Sequence, residues 1–377
     1  MNGDSLSMAS ARQLVPNHNA HLKVSTPGRV CLFGEHQDYL ELPVISCAIS
    51  LRVSIEALPR PDPSILIHAL PVGREWTIQL HAPLKYEEER DYFRSGLKVL
   101  RDTGLTFSRG FECTINGSIP IRAGASSSSA MIVSWINLLA RMSDQQKELS
   151  PEECAIFAHA AEVLEFDGAG GRMDQYATAL GGVLFQSYHP AVSIETLTPK
   201  LGTFVLGDSG EPKDTQQILS RVKNRVISLV KRISSRLPDF SLQAATREDL
   251  DRYASGFAAA EKSLLLATIC NRDITLNARK LLTASSLDER AFGGLLNEHQ
   301  SILRSALDIS TPKIDRMLDA SLEAGAFGGK INGSGGGGSM FVYAPKGPEI
   351  VAEAIKKVGG KPYIVRVDSG TRVEGSG

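Results

Sequence analysis

The chain carries almost no net charge. Its formal charge is −1 over 377 residues, so no bulk field gathers a nucleic-acid backbone, and any anionic ligand must be held by a local site. No apolar run approaches the roughly 20 residues that a bilayer crossing needs, which removes a membrane from the expected partners. The five cysteines, Cys31, Cys47, Cys113, Cys154 and Cys270, are odd in number, widely spread and without a CxxC pair. Neither a disulfide framework nor a zinc site is indicated, and reduced thiols in a cytoplasmic setting are expected. The first twenty residues are polar and lack a charged-then-apolar leader pattern. The terminal Glu-Gly-Ser-Gly reads as a flexible tail, and neither end enters the fold reasoning.

What is present is an ordinary globular composition, 42% apolar and 22% charged, in a chain long enough for two domains of roughly 100–200 residues each. From Val24 to Leu58 the pattern is strand, glycine turn and strand, rich in β-branched residues. Strands follow at Ile65–Ala69 and Trp76–Leu80, a helix at Asp91–Leu100, a strand at Phe111–Ile119, and a long apolar helix ending near Met142. Helices around Cys154–Glu165 and Arg172–Leu180 lead to strands at Gly182–Gln186 and Thr203–Leu206. The middle is helical in period: Thr215–Arg236, Arg247–Asn271, Leu276–Ala284, Leu287–Leu307 and Ile314–Ala324. Strands near Lys330 and at Ser339–Tyr343 precede a helix over Glu349–Val358. These elements predict a mixed α and β protein, with one domain over 20–200 and a second over 201–370.

Three segments carry chemistry. Pro120-Ile-Arg-Ala-Gly-Ala-Ser-Ser-Ser-Ser-Ala130 lies between a strand and the long apolar helix. There Gly124, Ala125 and Ser126 to Ser129 would let backbone N–H groups and a helix N-terminus meet an oligophosphate. It is not a Walker A sequence, because no Gly-Lys-Ser/Thr follows. Lys330-Ile-Asn-Gly-Ser-Gly-Gly-Gly-Gly-Ser339 is framed by apolar residues, and glycines there suit a tight turn against another backbone or a nucleotide. Pro27-Gly-Arg-Val-Cys-Leu-Phe-Gly-Glu-His-Gln-Asp-Tyr39 places Arg29, Glu35, His36 and Asp38 at a strand end, a set able to hydrogen-bond a polyhydroxylated ligand. Taken singly, each also fits a plain reading: a serine-rich linker with a helix cap, a hairpin loop, a solvated turn.

In this order the three segments resemble the three motifs of the GHMP kinases, the family of galactokinase, homoserine kinase, mevalonate kinase and phosphomevalonate kinase. The resemblance runs from about Lys23 to Tyr343. Glu35-His-Gln-Asp-Tyr39 is similar to the galactokinase-like form of the first motif. The stretch Glu162-Val-Leu-Glu-Phe-Asp-Gly-Ala-Gly-Gly-Arg-Met-Asp-Gln175 resembles the galactokinase segment ending in Met-Asp-Gln.

The resemblance implies an α+β fold of two domains, an N-terminal α/β domain and a C-terminal ferredoxin-like one, with the active site in the cleft between them. It implies ATP and Mg²⁺, with nucleotide contacts from Gly124 to Ser129 and from Gly335 and Gly336, and the metal on Ser128 and Glu162. It assigns Asp174 as catalytic aspartate, Arg29 beside the reacting groups, and Glu35, His36, Asp38 and Tyr39 to a sugar, phosphorylated at its anomeric hydroxyl. Galactose or a close relative is the expected acceptor. A mevalonate-type kinase and a non-catalytic sugar- and ATP-binding regulator are the alternatives. For Glu162 a solvated face is the plain reading, with Glu165 and Asp167 as substitutes; for Asp174 it is a helix N-terminal acid. Two departures are Cys31, where galactokinases usually carry Asn, and the absence of their Tyr-x-x-Arg-Arg pattern. The polar turn Asp208–Thr215 looks like the loop bordering the acceptor pocket, and Lys213 is read there either as a phosphate contact or as part of a surface loop.

Overall fold

The computed structural model describes residues 21–121 and 123–375. Residues 1–20 of the polar lead lie outside it, as do Ser376 and Gly377 of the tail. The first sheet has eight strands: β1 (Leu22–Phe33), β2 (Val44–Pro59), β3 (Ser64–Ala69), β4 (Arg74–Gln79), β5 (Phe111–Gly117), β6 (Val183–Ser187), β7 (Ser193–Leu197) and, at the far end of the chain, one more strand. β2 is long enough to serve two partners along one edge. Val44–Cys47 pairs with β6 and Val53–Pro59 with β5, while β1 runs along the other edge. Only the pairing of β3 with β5 is parallel among these strands.

Four helices cover this sheet: α1 (Tyr92–Asp102), α2 (Ser127–Met142), α3 (Pro151–Glu162) and α4 (Met173–Leu180). α2 is apolar around much of its girth and is correspondingly the central, buried helix, with Trp135 fully enclosed beside Phe93 and Phe111. α3 opens with a capping box, in which the Ser150 hydroxyl accepts from the Glu153 N–H and the Glu153 carboxylate accepts from the Ser150 N–H.

The second lobe is built from β8 (Phe204–Asp208), α5 (Thr215–Ser234), α6 (Arg247–Tyr253), α7 (Ala259–Leu282), α8 (Glu289–Ser305), α9 (Pro312–Glu323), β9 (Gly328–Asn332), β10 (Ser339–Tyr343), α10 (Pro348–Lys357) and β11 (Lys361–Val365). Its sheet has the order β11-β8-β10-β9 with antiparallel pairings throughout. Strand, helices, two strands, helix and strand in that spatial order is the ferredoxin-like arrangement. The expected helix over Arg247–Asn271 is instead broken after Tyr253, where Ser255 and Gly256 disfavour helix. α7 then runs unbroken through the interval expected between two helices, since nothing from Arg272 to Thr275 is a strong breaker.

The chain finally returns to the first lobe. Arg52 donates to Asp368 Oδ2 at 2.7 Å and to the Gly370 carbonyl at 2.8 Å, and β12 (Arg372–Gly375) adds to the open edge of β1. Glu374 and Gly375, read from sequence as part of a tail, are therefore strand: β1 offers them unpaired backbone groups, which is tertiary information. Among the described residues no helix is long and apolar enough to cross a membrane.

Candidate active site

A cavity of about 1070 Å³ opens between the lobes. Its floor is one ion pair. Arg29, on β1 and only 4% exposed, donates from Nε to Asp174 Oδ1 and from Nη2 to Asp174 Oδ2, both at 2.7 Å, while Nη1 donates to the Gly124 carbonyl. Parallel bonds of this kind fix orientation as well as supply energy. The Ser126 hydroxyl adds a third bond, 2.7 Å to Asp174 Oδ2. Asp174 is the second residue of α4 and keeps about a quarter of its side chain open to the cleft. Strand, serine loop and helix thus meet at one carboxylate.

The serine loop is held against β1 by close backbone contact. The Arg29 N–H donates to the Ala125 carbonyl at 3.2 Å, and a Cβ on Gly28 would lie 2.8 Å from that oxygen. Gly124 has φ 85°, and a Cβ there would meet both the Asn332 carbonyl at 2.7 Å and the Lys213 amine at 2.8 Å. Glycine is what lets the two lobes approach here. Ser126, Ser127, Ser128 and Ser129 line the cavity at the start of α2, whereas Ala125 is fully buried behind them. Gly335 and Gly336, expected at the nucleotide, pack on Ile309 and Ile218 instead, and Gly333 and Ser334 are the residues of that loop that line the cavity. The reason is geometric: Gly335 to Gly338 all have positive φ and turn the chain from β9 into β10.

Glu162, at the end of α3, is nine-tenths buried and accepts from the Gln175 amide at 2.6 Å, with the Ser128 and Ser129 hydroxyls beside it. All three are neutral, and burial pushes its carboxyl up from the usual range. A buried carboxylate and a serine hydroxyl, with no cluster of three or more acidic, His or Cys groups among the described residues, could hold a hard cation that keeps its other ligands as water or phosphate. Glu165 points elsewhere, to Lys98 and Tyr86.

The first motif divides into two kinds of residue. Glu35 and Lys330 form an ion pair with 1% and 0% side-chain exposure. Lys330 also donates to the Cys31 and Ile331 carbonyls, and Glu35 Oε1 accepts from the Gly333 N–H at 3.3 Å. Cys31 does not line the cavity; its N–H donates to Asn332 Oδ1 at 3.0 Å. His36 sits with φ 62° and 6% exposure, its Nε2 2.9 Å from the Ser334 carbonyl and its Nδ1 2.6 Å from the Tyr39 hydroxyl. A carbonyl can only accept, so Nε2 carries the proton and Tyr39 donates to Nδ1. Burial pushes the imidazole down to about 4, keeping it neutral. Asp38 faces the cleft: its Oδ1 accepts from Tyr39 N–H at 2.9 Å and its Oδ2 from Met173 N–H, the first residue of α4, at 3.1 Å.

Sequence reasoning missed two features and left a third open. Asn332 joins the motifs by accepting from Cys31 and donating to the Gly124 carbonyl at 3.0 Å; a lone polar residue before Gly333 was its only signal. The apolar end of the cavity, with Val72, Trp76, Tyr92, Phe93 and Ile121, comes from elements with no shared motif. Lys213 lies in the cavity, on a loop tied to the glycine-rich turn.

The Glu35–Lys330 pair generates a prediction. Removing one member leaves a buried charge unmatched, which costs about 3–5 kcal/mol. In urea denaturation, Glu35→Gln and Lys330→Met should each lose stability on that scale, and the double variant should lose less than the two together.

Comparison with known proteins identifies the family. The model described as GHMP kinases N terminal domain matches residues 91–182, the GHMP kinases C terminal model matches 278–361, and the galactokinase galactose-binding signature matches 17–58. The mevalonate kinase of Pyrococcus horikoshii is 30% identical over 367 residues, covering 94% of this chain and 98% of that one. The galactokinase of Haemophilus influenzae is 26% identical over 371 residues, covering 93% and 94%. In structure, Lactococcus lactis galactokinase complexed with galactose aligns with a TM-score of 0.83 at 20% identity, over 93% of this chain and 95% of the other. The mevalonate kinase of Methanococcus jannaschii aligns at 0.72 and 19% identity, over 93% and 99%. With both family domains matched and a relative at 30% identity spanned almost end to end, the chain belongs to the GHMP kinase family, ATP-binding enzymes that phosphorylate small-molecule acceptors.

Proposed function

We propose that the protein transfers the terminal phosphoryl group of ATP to the anomeric hydroxyl of a neutral sugar, galactose or a close relative, giving a sugar 1-phosphate and ADP. The observation that carries the acceptor class is Asp38. Its carboxylate sits in the cleft at the start of α4, one helical residue from Asp174, and accepts only two backbone N–H bonds. A carboxylate accepts hydrogen bonds at about four positions, so sugar hydroxyls can use the remainder. Mevalonate would bring its own carboxylate toward that charge. The matched galactose-binding signature over 17–58 supports the same reading.

The nucleotide base takes the apolar end near Trp76, Val72 and Ile121, and the phosphates reach the N-terminus of α2 at Ser126–Ser129, where N–H groups and the helix dipole favour anions. Mg²⁺ would be held by the Ser128 hydroxyl and the Glu162 carboxylate, neutralising charge on the ATP oxygens. Asp174 accepts the proton of the acceptor hydroxyl, and Arg29 holds that carboxylate in place. With no covalent intermediate to form, alignment and charge neutralisation are the catalysis.

A second reading, a mevalonate-type kinase, is favoured by identity: archaeal mevalonate kinases reach 27–30%, against 26% for the galactokinases. Mg²⁺-dependent ADP release across galactose, N-acetylgalactosamine, glucose, mannose, arabinose, galacturonate and mevalonate separates the two. Turnover with a neutral sugar is expected. Turnover with mevalonate alone would overturn the Asp38 argument, and binding of sugar and ATP without ADP release would leave the regulator. Asp174→Asn should lower kcat by about 10²–10⁴-fold, the usual worth of a positioned base, with the fold intact by circular dichroism.

Asp38 adds a pH dependence. Burial, with the charge of Asp174 adding and the Met173 N–H opposing, raises its carboxyl to about 6. Below that value the protonated group loses accepting capacity, so the KM for the sugar should rise as pH falls through about 6. In Asp38→Asn the KM should be high throughout, with that acid limb gone.

A further inference from the structure

Lys213 is a cation without a counterpart. It projects into the cleft from the loop after β8, and its Nζ makes no hydrogen bond and no ion pair among the described residues. The other basic group at the reacting end, Arg29, is neutralised by Asp174. The amine lies over two glycines, one from each lobe: a Cβ would come within 2.8 Å of it at Gly124 and within 3.1 Å at Gly338. Any side chain at either position would displace it.

The loop is built to hold it there. Ser209, 1% exposed, donates through both its N–H (2.8 Å) and its hydroxyl (2.7 Å) to the Gly338 carbonyl. The Glu211 N–H donates back to the Ser209 hydroxyl at 3.1 Å, and the Glu211 carbonyl accepts from the Gly338 N–H at 3.2 Å. Asp214 then caps α5 through the Gln217 N–H at 2.9 Å. The loop is thus tied down at Ser209 and Glu211 although Gly210, Pro212 and Asp214 are exposed at the surface. Holding a partly buried ammonium in place without an anion costs stability unless a ligand supplies the charge.

We propose that Lys213 is a catalytic residue of the phosphoryl transfer, its ammonium contacting the transferred phosphoryl oxygens from the second lobe. The proposal rests on the kinase reading of the cleft. In the step, the acceptor oxygen forms a bond to the terminal phosphorus, the bond from that phosphorus to the ADP oxygen breaks, and the hydroxyl proton goes to Asp174. Lys213 neither gains nor loses a proton; it neutralises charge that spreads over the equatorial oxygens. Because the amine comes from one lobe and the serine loop from the other, its contact also depends on the lobes standing at this separation.

The test compares the parent with Lys213→Met and Lys213→Gln. Turnover is measured with the best sugar of the panel, and calorimetric binding with ADP alone and with ADP, magnesium and aluminium fluoride as a mimic of the group in transfer. Removing one charge-stabilising donor lowers kcat by about 10²–10³-fold, and the aluminium fluoride complex should weaken by the same factor while ADP affinity and sugar KM stay at parental values. The unfolding midpoint should hold or rise, since no protein contact is lost. Parental kcat in both variants, or a loss confined to ADP affinity, would overturn the assignment. A parent that binds the aluminium fluoride complex without turnover, with Lys213→Met losing that binding, would defeat the sugar-kinase reading and keep Lys213 on the phosphoryl group.

Discussion

The cleft depends on the pairing of Arg29 with Asp174. The guanidinium is almost fully buried and spends both of its forward N–H groups on one carboxylate and a third on the Gly124 carbonyl. It therefore sets three things at once: the position of the acidic group on α4, the path of the serine loop, and the end of β1. A bidentate bond defines a plane as well as a distance. Without it, α4 would keep its packing but the carboxylate would be free to choose a rotamer. The strand that carries Arg29 is gripped along its length by β2 and at its start by β12, so the guanidinium is delivered by a rigid element.

Around this pair the two lobes are stitched by buried polar contacts. Lys330 reaches from β9 to Glu35 and the Cys31 carbonyl, Asn332 from β9 to the Cys31 N–H and the Gly124 carbonyl, and His36 to the Ser334 carbonyl. Each of these residues finds a hydrogen-bond or ion-pair partner across the lobe boundary, which explains polar groups at so dry a junction. It also sorts the first motif. Glu35 and His36 are engaged by the protein, while Asp38 retains accepting capacity toward the cleft. Cys31, which departs from the galactokinase pattern, lies behind the cavity wall and uses only its backbone N–H and carbonyl at the junction.

Much of this was legible in the sequence because local pattern and tertiary use agree. α2 reads as a long apolar helix and is buried; the glycines and serines before it read as a backbone-exposing loop and line the cavity. The strands that went unread are those with little pattern of their own. β7, Ser193–Leu197, and β11, Lys361–Val365, are short edge strands, and β12 exists because β1 leaves an edge open. The break between α6 and α7 turned on Ser255 and Gly256, weak signals inside a strong helical period. Partners about 300 positions apart, such as Glu35 with Lys330, cannot be inferred from spacing. Gly335 and Gly336 illustrate the opposite error: a glycine run reads as ligand contact, yet here it turns the chain.

The charge pattern ties site and acceptor together. One end of the cleft is apolar, the middle holds serine hydroxyls and a helix N-terminus, and the acceptor end holds two carboxylates of different duty, Asp38 among backbone N–H donors and Asp174 on its arginine. The whole arrangement stands on Arg29 and Asp174 acting as a unit. A double-mutant cycle on kcat/KM with Arg29→Met, Asp174→Asn and the combination tests this directly. If the pair is a unit, the double variant should be no worse than the weaker single variant, since either change alone already disables the carboxylate. Losses that simply add would mean that the two residues act independently, and would contradict the account.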